Sequence, residues 1–192
     1  PTMAVIADNC PNIKITVVDV NQERIKNWNS EDPRDLPVYE PGLADIIKRR
    51  RNKNLFFSTD VSTEISLADL IFVSVNTPTK SKGLGAGKAS DLKWIEICAR
   101  EISNHAKGHT IVVEKSTVPV RTAEVLKSIL NSKNDENSFS ILSNPEFLAE
   151  GSAINDLQNP DRVLIGGEDD TSISSLANIY LQWVPAEKII RT

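Results

Sequence analysis

The sequence predicts a doubly wound α/β domain with a mostly parallel sheet. Two observations carry this. Short β-branched or apolar runs alternate with helix-patterned segments along the whole chain. Those runs, such as Lys14 to Val20 (KITVVDV) and Asp69 to Val75 (DLIFVSV), are near-continuously apolar, as strands buried on both faces must be. The 192 residues, 40% hydrophobic and 25% charged, are enough for one domain with a real core.

Residues Thr2 to Asn9 read as the tail of a helix. Lys14 to Val20 is a buried strand, and Asn21 can cap the helix Gln22 to Trp28. A Pro-rich loop, Ser30 to Glu40, leads to a helix through Arg51, whose first turn suits Pro41. Leu55 to Ser58 is a strand, Val61 to Leu67 a short helix, and Asp69 to Val75 a second buried strand. The loop Asn76 to Ser90 holds three of the eight glycines. Asp91 to Lys107 is a long amphipathic helix and Thr110 to Glu114 a strand. Pro119 to Asn131 is a helix with Pro at its start, and Ser138 to Leu142 a strand. Arg162 to Gly166 and Lys188 to Ile190 are further strands, with the helix Ser172 to Trp183 between them.

Composition excludes several roles. The net charge of −4 gives no reason to expect nucleic-acid or acidic-membrane binding. The one basic run, Lys48-Arg49-Arg50-Arg51, reads as a solvated helix C-terminus favoured by the dipole, with a phosphate or partner patch as the alternative. Cys10 and Cys98 are too few for a disulfide framework or zinc site and point to a reducing compartment. No run approaches membrane-spanning length. His105 and His109 have no Cys or acidic partner at ligand spacing, and no Ser-His-Asp arrangement or Walker motif is visible.

Four places at strand ends can carry chemistry, because parallel sheets bind ligands beyond the carboxyl ends of their strands. Asp19 ends its strand and could accept hydrogen bonds from adenosine ribose hydroxyls while repelling a 2′-phosphate; it could equally help cap the next helix. Arg24 could reach the same end, or be a surface arginine. Val75, Asn76, Thr77, Pro78 and Thr79 form a loop that could contact cofactor phosphate and ribose, or a turn satisfied by its own side chains. Ser116 or Thr117, with Val118 following, could cap the next helix or serve an anion or polarised water at a helix N-terminus. Glu146 and Glu150, four apart, would share one face of a helical turn. One could act as a general base in a closed cleft, or both could complement a helix dipole.

A dinucleotide-binding domain opens with a strand, a Gly-rich turn and a helix. Here no G-x-G-x-x-G precedes Pro1, and Gly83-Leu84-Gly85-Ala86-Gly87 has other spacing. The first strand is central in such a sheet, so its absence is expected to leave Lys14–Val20 and Asp69–Val75 without the partner between them.

Together and in this order the motifs resemble the UDP-glucose/GDP-mannose dehydrogenase family, in particular its eukaryotic UDP-glucose 6-dehydrogenases. The match runs through Thr16 to Asn21, Leu36 to Leu43, Asn54 to Thr59, Ser74 to Lys80, Glu114 to Val120, Leu142 to Gly151 and Asn159 to Gly167. Insertions are confined to loops such as Glu31 to Asp35. The resemblance implies a Rossmann-like NAD-binding domain, truncated at both ends over residues 1–192, with the central helical and UDP-binding domains outside the chain. It implies two successive oxidations of UDP-glucose at C6 to UDP-glucuronate, with NAD, through a thiohemiacetal and thioester on a cysteine that is neither Cys10 nor Cys98.

By the same resemblance Asp19 and Arg24 hold the adenosine ribose, and Val75 to Thr79 line the cofactor. Ser116, Thr117 and Val118 form the next cofactor loop, with Thr117 ordering the catalytic water. Glu146 does acid/base work, Phe147, Leu148 and Ala149 present backbone to the substrate, and Glu150 touches both substrate and NAD. A cytoplasmic homo-oligomer is implied for the whole protein. Residues 1–192 alone are expected to be inactive. A related dehydrogenase acting on another hexose, or a non-catalytic fragment, are the alternatives.

Overall fold

A computed structural model describes residues 1–79, 90–116, 122–132 and 136–192. It divides into two compact units: Pro1–Glu64 with Phe147–Val163 and Ser175–Ile190, and Ile65–Glu146 with Leu164–Ser174 and Arg191–Thr192.

The first unit is built from α1 (Thr2–Asn9), β1 (Ile15–Val18), α2 (Gln22–Trp28), α3 (Leu43–Arg50) and β2 (Leu55–Ser58), followed by α4, which starts at Val61 and ends at Ser66. Its β1 and β2 pair in parallel, Ile15 against Leu55 through Val18 against Ser58. Helix α1 packs on α3, and Val5 and Ala7 of α1 and Leu43, Ile46 and Ile47 of α3 are all buried. Each such aliphatic side chain contributes about 1.5–3 kcal/mol of burial when large. Asn54 ties α1 to the strands, its amide donating to the carbonyls of Ala7, Cys10 and Ile13 at 2.9, 3.2 and 3.3 Å.

Two local readings change here. Pro41 stands outside α3, because Gly42 precedes the helix in a left-handed conformation (φ 84°) that only glycine adopts without strain. The basic run is also more than a solvated terminus. Arg49 and Arg50 both grip Asp8 of α1, at 2.6 and 2.9 Å, and Arg51 donates to the carbonyls of Trp28 and Ser30. A single carboxylate facing the end of α3 draws two guanidiniums inward, and the sequence carried no sign of it.

The second unit holds β3 (Leu70–Val73), α5 (Lys93–His105), β4 (His109–Glu114), α6 (Thr122–Leu130) and β5 (Ser138–Ser143). After α7 (Ala153–Gln158) come β6 (Val163–Gly167), α8 (Asp170–Tyr180) and β7 (Ile189–Arg191). The sheet order is β3-β4-β5-β6-β7, parallel from β3 to β5 and antiparallel between β5 and β6. Helix α5 turns Ile95, Ala99 and Ile102 inward at spacings of four and three, all at most 2% exposed, and packs on α6 at Leu126 and Leu130.

The α/β class and the parallel-dominated sheets agree with the sequence. A single continuous sheet would have overturned the expectation of a lacking central strand; the described strands form two sheets, and no ladder of described residues joins β1 to β3. The predicted helix starting at Pro119 is described from Thr122 onward. Gly83 to Gly87 and Pro119 lie outside the described residues. Among the described residues no helix is long and apolar enough to cross a membrane.

Candidate functional site

Asp19 follows β1 directly, its backbone N–H still bonded to Ser58 O at 3.3 Å. Its carboxylate accepts from Asn21 N at 2.9 Å and from Arg24 Nη1 at 3.3 Å. Asn21 caps α2, its side chain accepting from Arg24 N at 3.0 Å. Asp19 therefore steadies the turn into α2, as its capping reading expects, and pairs with Arg24. An ionised carboxylate offers about four acceptor positions, so capacity remains for a ribose diol, and 27% of the side chain is exposed.

In the same unit, residues 147–151 run as an irregular segment into a turn. Phe147 is half exposed and carries the Arg162 guanidinium 4.7 Å above its ring. Ala149 N donates to Asp156 at 3.2 Å. Leu148 is half-buried, while Ala149 and Glu150 are exposed. Gly151 takes φ 84°, and its N–H and that of Ala153 both donate to buried Glu40, at 3.1 and 3.3 Å.

The expectation that Glu146 and Glu150 share a helical turn is corrected. Residues 144–149 are not helical, Glu150 lies in a turn, and α7 starts only at Ala153. Pro145 disfavours the helical region for Asn144 and supplies no N–H, which keeps the segment extended. Neither glutamate then sits in the first turn of a helix.

In the second unit the tips of three adjacent parallel strands come together. Ser116, after β4, clasps Val75, after β3: its hydroxyl donates to Val75 O at 2.9 Å and accepts from Val75 N at 3.2 Å. The Ser116 hydroxyl is thus engaged with the neighbouring loop, and α6 is described from Thr122 onward. The loop continues through exposed Asn76, half-buried Thr77, and exposed Pro78 and Thr79. It is tied back by Asp91 N to Pro78 O at 2.7 Å and by a Thr79–Ser90 bridge. Thr117 and Val118 lie outside the described residues.

Beyond β5, Glu146 faces Lys115 at 3.6 Å between Oε1 and Nζ. Lys115 is 4% exposed and donates to both the backbone carbonyl and the side-chain oxygen of Asn144, each at 3.2 Å. Asn144 in turn donates to Leu164 O at 2.8 Å. Burial pushes the Lys115 ammonium down, against Glu146 and Glu114, which hold it up. Glu114, 3% exposed, has Oε1 without a partner among the described residues, and burial raises its carboxyl to about 7 despite the Ser116 N–H and the Lys115 charge. Sequence reasoning missed Lys115, Glu114, Asn144, Glu40 and Arg162. The one available signal was a charged pair, Glu114-Lys115, closing the apolar run Thr110 to Val113.

Two further expectations are revised. His105 does have an acidic neighbour, Glu101 at 3.5 Å one turn earlier, and no metal-holding cluster occurs among the described residues. His109, Ser140 and Asp169 do converge, but in the wrong order for nucleophilic catalysis. Ser140 donates to Asp169 at 3.2 Å, so its single proton is spent and it can only accept from His109 Nε2 at 3.3 Å. Burial raises the thiols of both Cys10 and Cys98, which disfavours the nucleophilic thiolate.

Comparison with known proteins bears on the fold and the cofactor. The NAD binding domain of the UDP-glucose/GDP-mannose dehydrogenase family matches residues 1–184. The whole chain is 57% identical to UDP-glucose 6-dehydrogenase 1 of Arabidopsis thaliana and 54% identical to UDP-glucose 6-dehydrogenase of Gallus gallus. It spans 40% and 39% of the length of those two relatives. In three dimensions the whole chain resembles a UDP-glucose dehydrogenase from Pyrobaculum islandicum, with TM-score 0.84 and 27% identity over 43% of that chain. It also resembles a GDP-mannose dehydrogenase from Pseudomonas aeruginosa, with TM-score 0.81 and 28% identity over 44% of that chain.

Proposed function

We propose that this chain, which belongs to the UDP-glucose/GDP-mannose dehydrogenase family, is the greater part of the NAD-binding domain of an enzyme that oxidises UDP-glucose to UDP-glucuronate. The observation that carries the reading is the row of strand tips β3, β4 and β5, bearing Val75, Ser116 and Glu146 side by side. Ligands of parallel α/β sheets bind at such tips.

In this reading NAD, when bound, accepts the hydride. The chain's own residues do the rest. Asp19 and Arg24 hold the adenosine ribose, and the Asp19 charge repels a 2′-phosphate and so favours NAD over NADP. Val75 to Thr79 and Ser116 to Val118 line the cofactor, Thr117 also ordering the attacking water. Glu146 holds or releases the proton of that water. Phe147, Leu148 and Ala149 present backbone to the nucleotide sugar, and Glu150 lies against both ligands. The covalent thiohemiacetal and thioester form on a cysteine outside residues 1–192, since neither described thiol is disposed to be the nucleophile. A first strand with its Gly-rich turn, and the central and UDP-binding domains, complete the whole protein, a cytoplasmic homo-oligomer.

The test is NADH formation by the full-length protein with UDP-glucose, GDP-mannose or UDP-N-acetylmannosamine. UDP-glucose is expected to be oxidised with a kcat/KM at least about 100-fold above the others, as unpaired polar groups in a fitted site discriminate strongly. Preference for another sugar would sink the substrate assignment, and no oxidation of any would sink the enzyme reading. Purified residues 1–192 with UDP-glucose and NAD are expected to form no NADH.

A further inference from the structure

We propose that Lys115 is a positioning residue for Glu146: its buried ammonium, seated on Asn144, fixes the orientation and charge of the Glu146 carboxylate at the tip of β5. This deepens the reading above and rests on it for the role of Glu146.

The geometry leaves Lys115 little else to do. A lysine ammonium has three N–H donors. Two reach neutral oxygens, the carbonyl and the side-chain oxygen of Asn144, at 3.2 Å each. Neutral dipoles alone do not compensate a charge that is 4% exposed. The carboxylate that faces it from the β5 loop is Glu146, with Nζ to Oε1 at 3.6 Å. Among the described residues, the other charged group acting on it is Glu114, its neighbour in sequence.

The platform is anchored through backbone and side-chain hydrogen bonds. Lys115 N donates to Val73 O at 3.0 Å, and Asn144 N to Glu114 O at 2.9 Å, so both residues continue the ladders of β3, β4 and β5. The Asn144 amide is oriented by its bond to Leu164 O at 2.8 Å, which leaves its oxygen toward Lys115. Asn144 itself is 1% exposed. By contrast 30% of the Glu146 side chain remains accessible. A buried cation therefore anchors a carboxylate that still meets solvent, and 3.6 Å is an electrostatic contact, too long to be a full hydrogen bond.

The experiment uses the full-length enzyme and whichever of the three nucleotide sugars the wild type oxidises, so a wrong substrate assignment shows itself separately. Lys115→Met is expected to lower kcat about 10- to 100-fold with KM changed less than about threefold, the size seen when an outer partner of a working group is lost. Lys115→Arg keeps the charge and is expected to recover part of that loss. The double variant K115M/E146Q is expected to be no slower than E146Q alone, within about twofold, because residues acting as one unit are not additive.

A substrate-free arm follows the lysine side chains by NMR in full-length protein carrying ¹³C-labelled lysine. In E146Q the Lys115 ammonium should lose its proton at lower pH than in wild type. Melting curves check that each variant is folded. The proposal is overturned by K115M with wild-type kcat, by losses that multiply in the double variant, by Arg failing as badly as Met, or by an unmoved Lys115 titration in E146Q.

Discussion

The tip of β1 and the tips of β4 and β5 carry the same kind of chemistry in opposite settings. At β1, Asp19 and Arg24 form an ion pair with 27% and 59% of their side chains exposed. At β4 and β5, Lys115 is 4% and Glu114 3% exposed. A solvated pair is worth under about 1 kcal/mol, so it opens readily to exchange water for a ligand hydroxyl. A buried group has no such freedom. Desolvation moves its protonation, raising Glu114 to about 7 and lowering Lys115. The first setting suits binding, and the second suits holding and moving a proton.

The comparison can be broken most decisively at Glu146. Glu146→Gln in the full-length enzyme is expected to lower kcat about 10²- to 10⁴-fold, the range for general acid–base groups. A loss confined to KM would place Glu146 among binding residues instead.

Glu114→Gln sharpens the same contrast through stability. The folded carboxyl is raised to about 7 from 4.5, so the folded state keeps a proton that the unfolded state releases. Stability is then fully present below pH 4.5, declines as pH rises to about 7, and is flat above. Glutamine mimics the protonated form. At pH 8 the variant is expected to be more stable than wild type by up to about 3 kcal/mol, and at pH 4 equal to it, by denaturant unfolding. Equal stability at both pH values would mean that Glu114 is solvated.

At β1 the effects should be smaller and should fall on binding. Asp19→Ala is expected to raise the Kd for NAD about 10- to 100-fold, leave kcat nearly unchanged and relax discrimination against NADP, measured by titration of nucleotide fluorescence. Arg24→Ala should weaken NAD by only about threefold, the value of an exposed pair. An effect of Arg24 larger than that of Asp19 would reverse the assignment.

Local physics was legible in the sequence wherever it involves near neighbours. The runs at Lys14–Val20, Asp69–Val75 and Thr110–Glu114 hold the strands β1, β3 and β4, because a short, near-continuous apolar stretch is written in adjacent residues. Asn21 caps α2 as expected, since donor and acceptor lie three residues apart. No helix forms around Glu146, because the four-residue spacing to Glu150 does not outweigh Pro145.

The sequence by itself determined the class of fold, the order of its strands and of its helices other than α7, and which loops stand at strand tips. All of these follow from periodicity and from the turn chemistry of neighbouring residues. Only tertiary structure decided which charges are buried and with whom. Glu40 reaches Gly151 across 111 positions of chain, and Lys115 meets Asn144 across 29. Such pairings leave no periodic trace, since desolvation depends on the surrounding packing and not on the order of residues along the chain.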